Sequence, residues 1–178
     1  MTALTLRDGI VTGARALGLI GALSAGPAAA EDGLTVAGDV LRAALPLAAG
    51  VCAWKQERLA SYATGFGVMA VTVEGLKQGL GDAPINERPN GESQGFPSGH
   101  TAMAASGATD LALRCAPGNR WVAAAGAAAT VVVGASRIDA DEHDLGQVLA
   151  GAALGFFSTG IQVNRTEHGF GLSYRLDF

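Results

Sequence analysis

Five apolar segments, roughly 36–53, 58–77, 100–114, 121–136 and 145–163, dominate the chain, and each is long enough for a helix rather than a strand. The separators between them alternate in length. "KQER" at 55–58 and "RCAPGNR" at 114–120 are short, and Pro117-Gly118 breaks the latter cleanly. "QGLGDAPINERPNGESQGFPSG" at 78–99 and "SRIDADEH" at 136–143 are long and polar. Short connections join antiparallel neighbours, so the pattern predicts an all-α antiparallel bundle of about five core helices. The two short turns then lie at one end and the two long loops meet at the other. After residue 164 the period changes. Phe170, Leu172, Tyr174, Leu176 and Phe178 alternate, which predicts a short C-terminal strand or hairpin; a membrane barrel would need many such segments.

The chain has 178 residues, enough for one domain with a real core. Hydrophobic residues make up 49% and charged ones 16%, which excludes a disordered chain. The net charge of −4 leaves no basic footprint for nucleic acid. The first thirty residues stand apart. Arg7 and Arg15 precede an apolar stretch, Ala16–Ala25, and the A-x-A end at Ala28–Ala30 completes the pattern of a secretory signal peptide. Residues 1–30 are therefore expected to be a signal and 31–178 a single helical domain.

The two long loops carry the chemistry. They gather Lys77, Arg88, Ser98, Gly99, His100, Arg137 and His143 at one end of the bundle. Ser98 and Gly99 open the third helix, where free backbone N–H groups point outward. Arginine forks match phosphate oxygens two at a time. The composition is that of an oxyanion cradle with phosphate as its guest, and two histidines supply a nucleophile and a general acid. Other readings fail on spacing. "DADEHD" at 139–144 lacks the spacing and glycine of a calcium loop. Three histidines without a close pair do not make a zinc site. His168 reads as a surface residue.

These residues resemble the type 2 phosphatidic acid phosphatase superfamily, which includes bacterial class A acid phosphatases and vanadium haloperoxidases. Its three motifs are K-x6-R-P, P-S-G-H and S-R-x5-H-x3-D. The chain has Arg88-Pro89, an intact Pro97-Ser98-Gly99-His100, and Ser136-Arg137 followed after five residues by His143. The resemblance covers roughly 36–163. It implies that His143 attacks phosphorus to form a phosphohistidine and that His100 protonates the leaving alcohol. Lys77, Arg88 and Arg137 would hold the phosphoryl oxygens, with Ser98 donating its hydroxyl and Gly99 its backbone N–H. It implies no metal and no cofactor, since cations neutralise the transferring group. The implied partner is a phosphorylated small molecule or lipid.

Two positions depart from the motifs. Ten residues, not six, separate Lys77 from Arg88. The final acid is replaced by Gln147, four residues beyond His143, which a shared helix face would still bring to the ring. A glutamine oxygen accepts the histidine's proton but carries no charge. Either the site is weakened, with a binding-only relative as the alternative function, or Asp139 or Asp141 substitutes; Asp144, next to His143, points elsewhere on a helix.

Relatives include membrane-spanning lipid phosphatases. Here Asp110 in the third helix and Gln147, Ser158, Thr159 and Gln162 in the fifth favour a soluble exported domain, with the inner membrane as the alternative setting. Cys52 and Cys115 both lie near the short turns, where an exported bundle could bridge them. In a spanning protein with its site outside, both would face the cytoplasm.

Overall fold

The computed structural model describes residues 27–167 and 169–176, with side chains from residue 33 on. The expected signal peptide lies almost wholly outside the described residues, as do His168 and Phe178. Five helices follow in order: α1 Pro27–Lys55, α2 Leu59–Leu80, α3 Gly99–Asp110, α4 Arg120–Asp139 and α5 Leu145–Ser158. A 3₁₀ turn at Pro84–Asn86 punctuates the first long loop, and a π-helical turn at Leu111–Cys115 extends α3. The chain ends in an antiparallel hairpin, β1 Ile161–Thr166 and β2 Gly169–Tyr174, with Val163 opposite Leu172.

The all-α bundle matches the apolar pattern with one correction. The last apolar segment, 145–163, is not a single helix. The helix stops at Ser158, Gly160 follows, and Ile161 opens a strand. Ser158 and Thr159 turn their hydroxyls back onto the carbonyls of Gly155 and Phe156, closing the final turn. The β-branched Ile161 and Val163 then suit the hairpin that residues 169–174 complete.

Helix α3 is the innermost element, packed against α1, α4 and α5. Its alanines let neighbours approach closely, and Ala102 and Ala104 are fully buried. Met69 and Val73 of α2 pack on Ala102, flanked by Phe66, Met103 and Leu154. Asn119 caps α4 by accepting from the N–H groups of Trp121 and Val122.

At the end with the short turns, Cys52 and Cys115 form a disulfide between α1 and the π-helical turn. Beside it, both terminal nitrogens of Arg58 donate to the Asp110 carboxylate at 2.7 Å. Asp110 is therefore a buried, paired charge at one end of the bundle, and not an obstacle exposed to a bilayer.

The outer surface is apolar. Helix α1 turns Val36, Val40, Leu47, Val51 and Trp54 outward, each more than half exposed and spaced to form one stripe. Trp121 and Val131 of α4 and Leu149 and Phe157 of α5 do the same. Three helices, Gly33–Lys55, Leu59–Leu80 and Arg120–Asp139, are long and apolar enough to cross a membrane. This departs from the expectation of a soluble domain and favours membrane association. Of the polar residues that argued for solubility, Asp110, Gln147, Ser158 and Thr159 are buried within the bundle, and Gln162 lies in β1 and not in a helix.

Candidate active site

The two long loops do meet. The N–H of Asn90 donates to the Asp141 carbonyl at 3.2 Å, and Arg88 forms an ion pair with Glu142 across the junction. A fully buried residue, Asn86, organises the first loop. Its side-chain amide donates to the carbonyls of Lys77 and Gly81 at 2.9 and 2.7 Å, and its oxygen accepts from Phe96 N–H at 3.0 Å. Asn86 thus gathers the extra residues between Lys77 and Arg88 into a closed turn. The charges of both Lys77 and Arg88 still bear on His143.

His143 is buried in the second loop, just before α5. Its Nδ1 lies 3.1 Å from Gln147 Oε1. The contact does not come from a shared helix face, because α5 begins only at Leu145. It comes from the cap. Asp144 accepts from Gln147 N–H at 2.8 Å, and Gln147 Oε1 accepts from Asp144 N–H at 3.3 Å, a reciprocal capping box. The same amide's Nε2 donates to the carbonyls of Ile85 and Glu87 at 3.2 and 2.8 Å. Those two carbonyls accept only, so they fix which end of the amide is nitrogen. Oε1 must then accept from His143, the proton sits on Nδ1, and Nε2 carries the lone pair. Among the described residues neither Asp139 nor Asp141 bonds His143, so Gln147 is its orienting partner. A Cβ on Gly95 would stand 2.5 Å from Gln147 Nε2, so only glycine leaves this amide its place.

Burial pushes the His143 pKa below its ordinary 6.5, and Lys77 and Arg88 push the same way, against the pull of Gln147 and the Gly95 backbone. The balance favours the neutral ring.

Ser98 caps α3, its Oγ 3.5 Å from Thr101 N and 3.1 Å from Thr101 Oγ1. Gly99 opens the helix and His100 follows in its first turn. His100 is half-buried. Burial first, then the charges of Arg42 and Arg137, push its pKa down from 6.5 to about 4, with His143 adding to the fall and Asp39 opposing it.

Arg137 is 6% exposed, near the end of α4. Its Nε donates to Ser136 Oγ at 3.2 Å. Arg137 Nη2 and Arg88 Nε are buried with no hydrogen-bond partner among the described residues. A buried donor left unpaired costs roughly 1–3 kcal/mol, so two of them, on arginines whose charges bear on His143 and His100, point to an anion as the missing partner. No group of three or more His, Cys, Asp and Glu among the described residues is arranged to hold a metal ion.

Four contributors escaped the sequence reading. Asn86 and Glu142 were lost among loop residues. Asp39 and Arg42 of α1 reach the site from a helix with no motif: Asp39 Oδ1 lies 3.2 Å from Arg42 Nε, 3.5 Å from His100 Nε2 and 3.7 Å from Arg137 Nη1. Their spacing, i and i+3 on an otherwise apolar helix, was the available signal.

The family model described as the PAP2 superfamily matches residues 58–166. No curated protein and no solved structure matches the chain.

Proposed function

Because the chain belongs to the PAP2 superfamily, we propose that it is a membrane-associated phosphatase that hydrolyses phosphate monoesters through a phosphohistidine at His143. The two unpaired arginine donors beside the histidines carry this reading. Lys77, Arg88 and Arg137 bind the phosphoryl oxygens, with Ser98 and the Gly99 N–H at the helix N-terminus. His143 Nε2 attacks phosphorus as the ester P–O bond breaks. His100 gives its proton to the departing oxygen. Water then attacks the phosphohistidine, losing a proton to His100 as the P–N bond breaks, and inorganic phosphate leaves. Gln147 keeps the Nδ1 proton in place and turns its carbonyl dipole toward the positive ring of the intermediate. A binding-only role loses its motive, since the glutamine makes every bond the orientation requires.

Lipid phosphates are the favoured substrates. The apolar outer faces support a site working beside a bilayer. An almost wholly apolar groove of about 660 Å³ runs between α1 and α2. It passes Ala43 and Met103, next in sequence to Arg42 and one turn beyond His100. For a bundle that lies on the bilayer and does not cross it, an exported setting is supported by the Cys52–Cys115 disulfide, since such bonds are rare in the reducing cytosol.

The test is a panel of glycerol phosphate, p-nitrophenyl phosphate and short-chain phosphatidic acid, with chelator present, on wild type and His143→Ala. Hydrolysis that survives chelation, is fastest on the lipid and vanishes in the variant supports the reading. Hydrolysis that persists in His143→Ala contradicts it.

A further inference from the structure

Helix α1 lies outside the segment that the family model matches, yet it supplies charge to the site. The reason is a close crossing. A Cβ on Gly38 would overlap the Ser136 side chain, so α1 meets α4 at that level with only the small Ser136 side chain between them. The residues next in sequence are Asp39 and Arg137, and Asp39 Oδ1 stands 3.7 Å from Arg137 Nη1 and 3.5 Å from His100 Nε2.

We propose that Asp39 is a positioning residue that stabilises the imidazolium form of His100 and so enables it to protonate the leaving group. The proposal rests on the phosphatase reading above for its chemistry. Alkoxides leave poorly without a proton, so an acid is needed at the moment the P–O bond breaks. The surroundings of His100 work against it. The ring is half-buried, and Arg42 from α1, Arg137 from α4 and His143 from the second loop all disfavour its protonated form. Among the described residues, Asp39 is the one neighbouring charge that favours it. Its carboxylate faces the ring from the Nε2 side and is partly open to solvent. When the ring becomes positive, the carboxylate gains a further cationic partner beside Arg42 and Arg137. After proton transfer the pair relaxes, and the ring accepts the proton of the incoming water. Pairing with Arg42 alone would be an ordinary i,i+3 surface contact and would leave catalysis untouched.

Leaving-group chemistry separates these roles. p-Nitrophenolate departs without protonation; an alkoxide does not. Asp39→Asn should lower kcat/KM, which runs only as far as the phosphohistidine and so leaves out water attack, by about tenfold or more on an alkyl phosphate, a share of what general acid catalysis supplies, and by less than about twofold on p-nitrophenyl phosphate. Asp39→Glu should recover part of the loss. In a His100→Gln background, Asp39→Asn should have no further effect. Equal losses on both substrates, or no loss on either, overturn the proposal. A second readout does not depend on turnover. The ring ¹⁵N signal of His100, assigned by its disappearance in His100→Gln, should titrate at lower pH in Asp39→Asn than in wild type, and an unchanged titration overturns the proposal. A wild type that hydrolyses no ester but shows the shifted titration would sink the phosphatase reading and leave the Asp39–His100 coupling standing.

Discussion

His143 Nδ1 and Gln147 Oε1 stand 3.1 Å apart, and the far end of the same amide is held by the carbonyls of Ile85 and Glu87. One glutamine therefore fixes the His143 tautomer and ties the ring to the loop that carries Arg88. A carboxylate could do the first and not the second.

Restoring the family's acid should harm this protein. In Gln147→Asp, two carbonyls lose their donor and face a negative charge. We expect a loss of about 1–3 kcal/mol in denaturant unfolding and a fall in turnover of at least about tenfold. Faster turnover in Gln147→Asp would mean that the glutamine is a degraded acid.

The anion cradle can be read by stabilisation. Orthovanadate or phosphate should raise the Tm of wild type, because an anion pairs Arg137 Nη2 and Arg88 Nε. Arg137→Gln should abolish most of that shift. Arg137→Lys keeps the charge but not the fork, and should cut turnover by at least about tenfold. An equal vanadate shift in Arg137→Gln would place the anion elsewhere.

The histidines give stability a direction with pH. Both have pKa values below 6.5 in the folded chain, His100 at about 4. Between those values and 6.5 the unfolded chain binds more protons than the folded one. Stability should therefore fall as pH falls through 6.5, and the term is fully present above it. Comparing Tm from about pH 7.5 to about pH 4.5, the slope should be shallower in His100→Gln than in wild type. An identical slope would mean that the ring is not held neutral by the fold.

The disulfide closes a separation of 63 residues, which the chain-entropy model values at about 4 kcal/mol. Cys52→Ser/Cys115→Ser should unfold at lower denaturant yet turn over at near the wild-type rate, since the bond lies at the end of the bundle away from the catalytic loops. Helix α2 holds those ends about 33 Å apart, so a bundle crossing a bilayer upright would put them in different compartments. Cells alkylated at the moment of lysis should yield protein with both thiols blocked as the disulfide. Free thiols in that sample would remove the support for export.

Much of the bundle was legible because its signals are local. Apolar segment lengths and the alternation of short and long separators gave the helices and brought the catalytic loops together. The hairpin was visible in the alternation from Phe170 to Tyr174, though the end of α5 was not, because Ile161 and Val163 look as apolar in a helix as in a strand. Membrane character was half legible, because the polar residues of α3 and α5 weighed against it and their burial by neighbours is invisible in one segment alone. The role of Gln147 was half legible. Its distance from His143 was right, but the Asp144–Gln147 capping box, plain in the sequence, explains why it is there. Asp39 was out of reach, since its place at the site depends on how closely Gly38 lets α1 cross α4.

The chemistry meets its most direct test in rapid acid-free denaturation of the protein during turnover, followed by peptide mass spectrometry under alkaline conditions that preserve phosphoramidates. Attack by His143 predicts one phosphate on the peptide carrying that residue, absent from His143→Ala and enriched when water attack is slowed in His100→Gln with p-nitrophenyl phosphate. Phosphate on any other residue, or turnover with no adduct under any of these conditions, contradicts it.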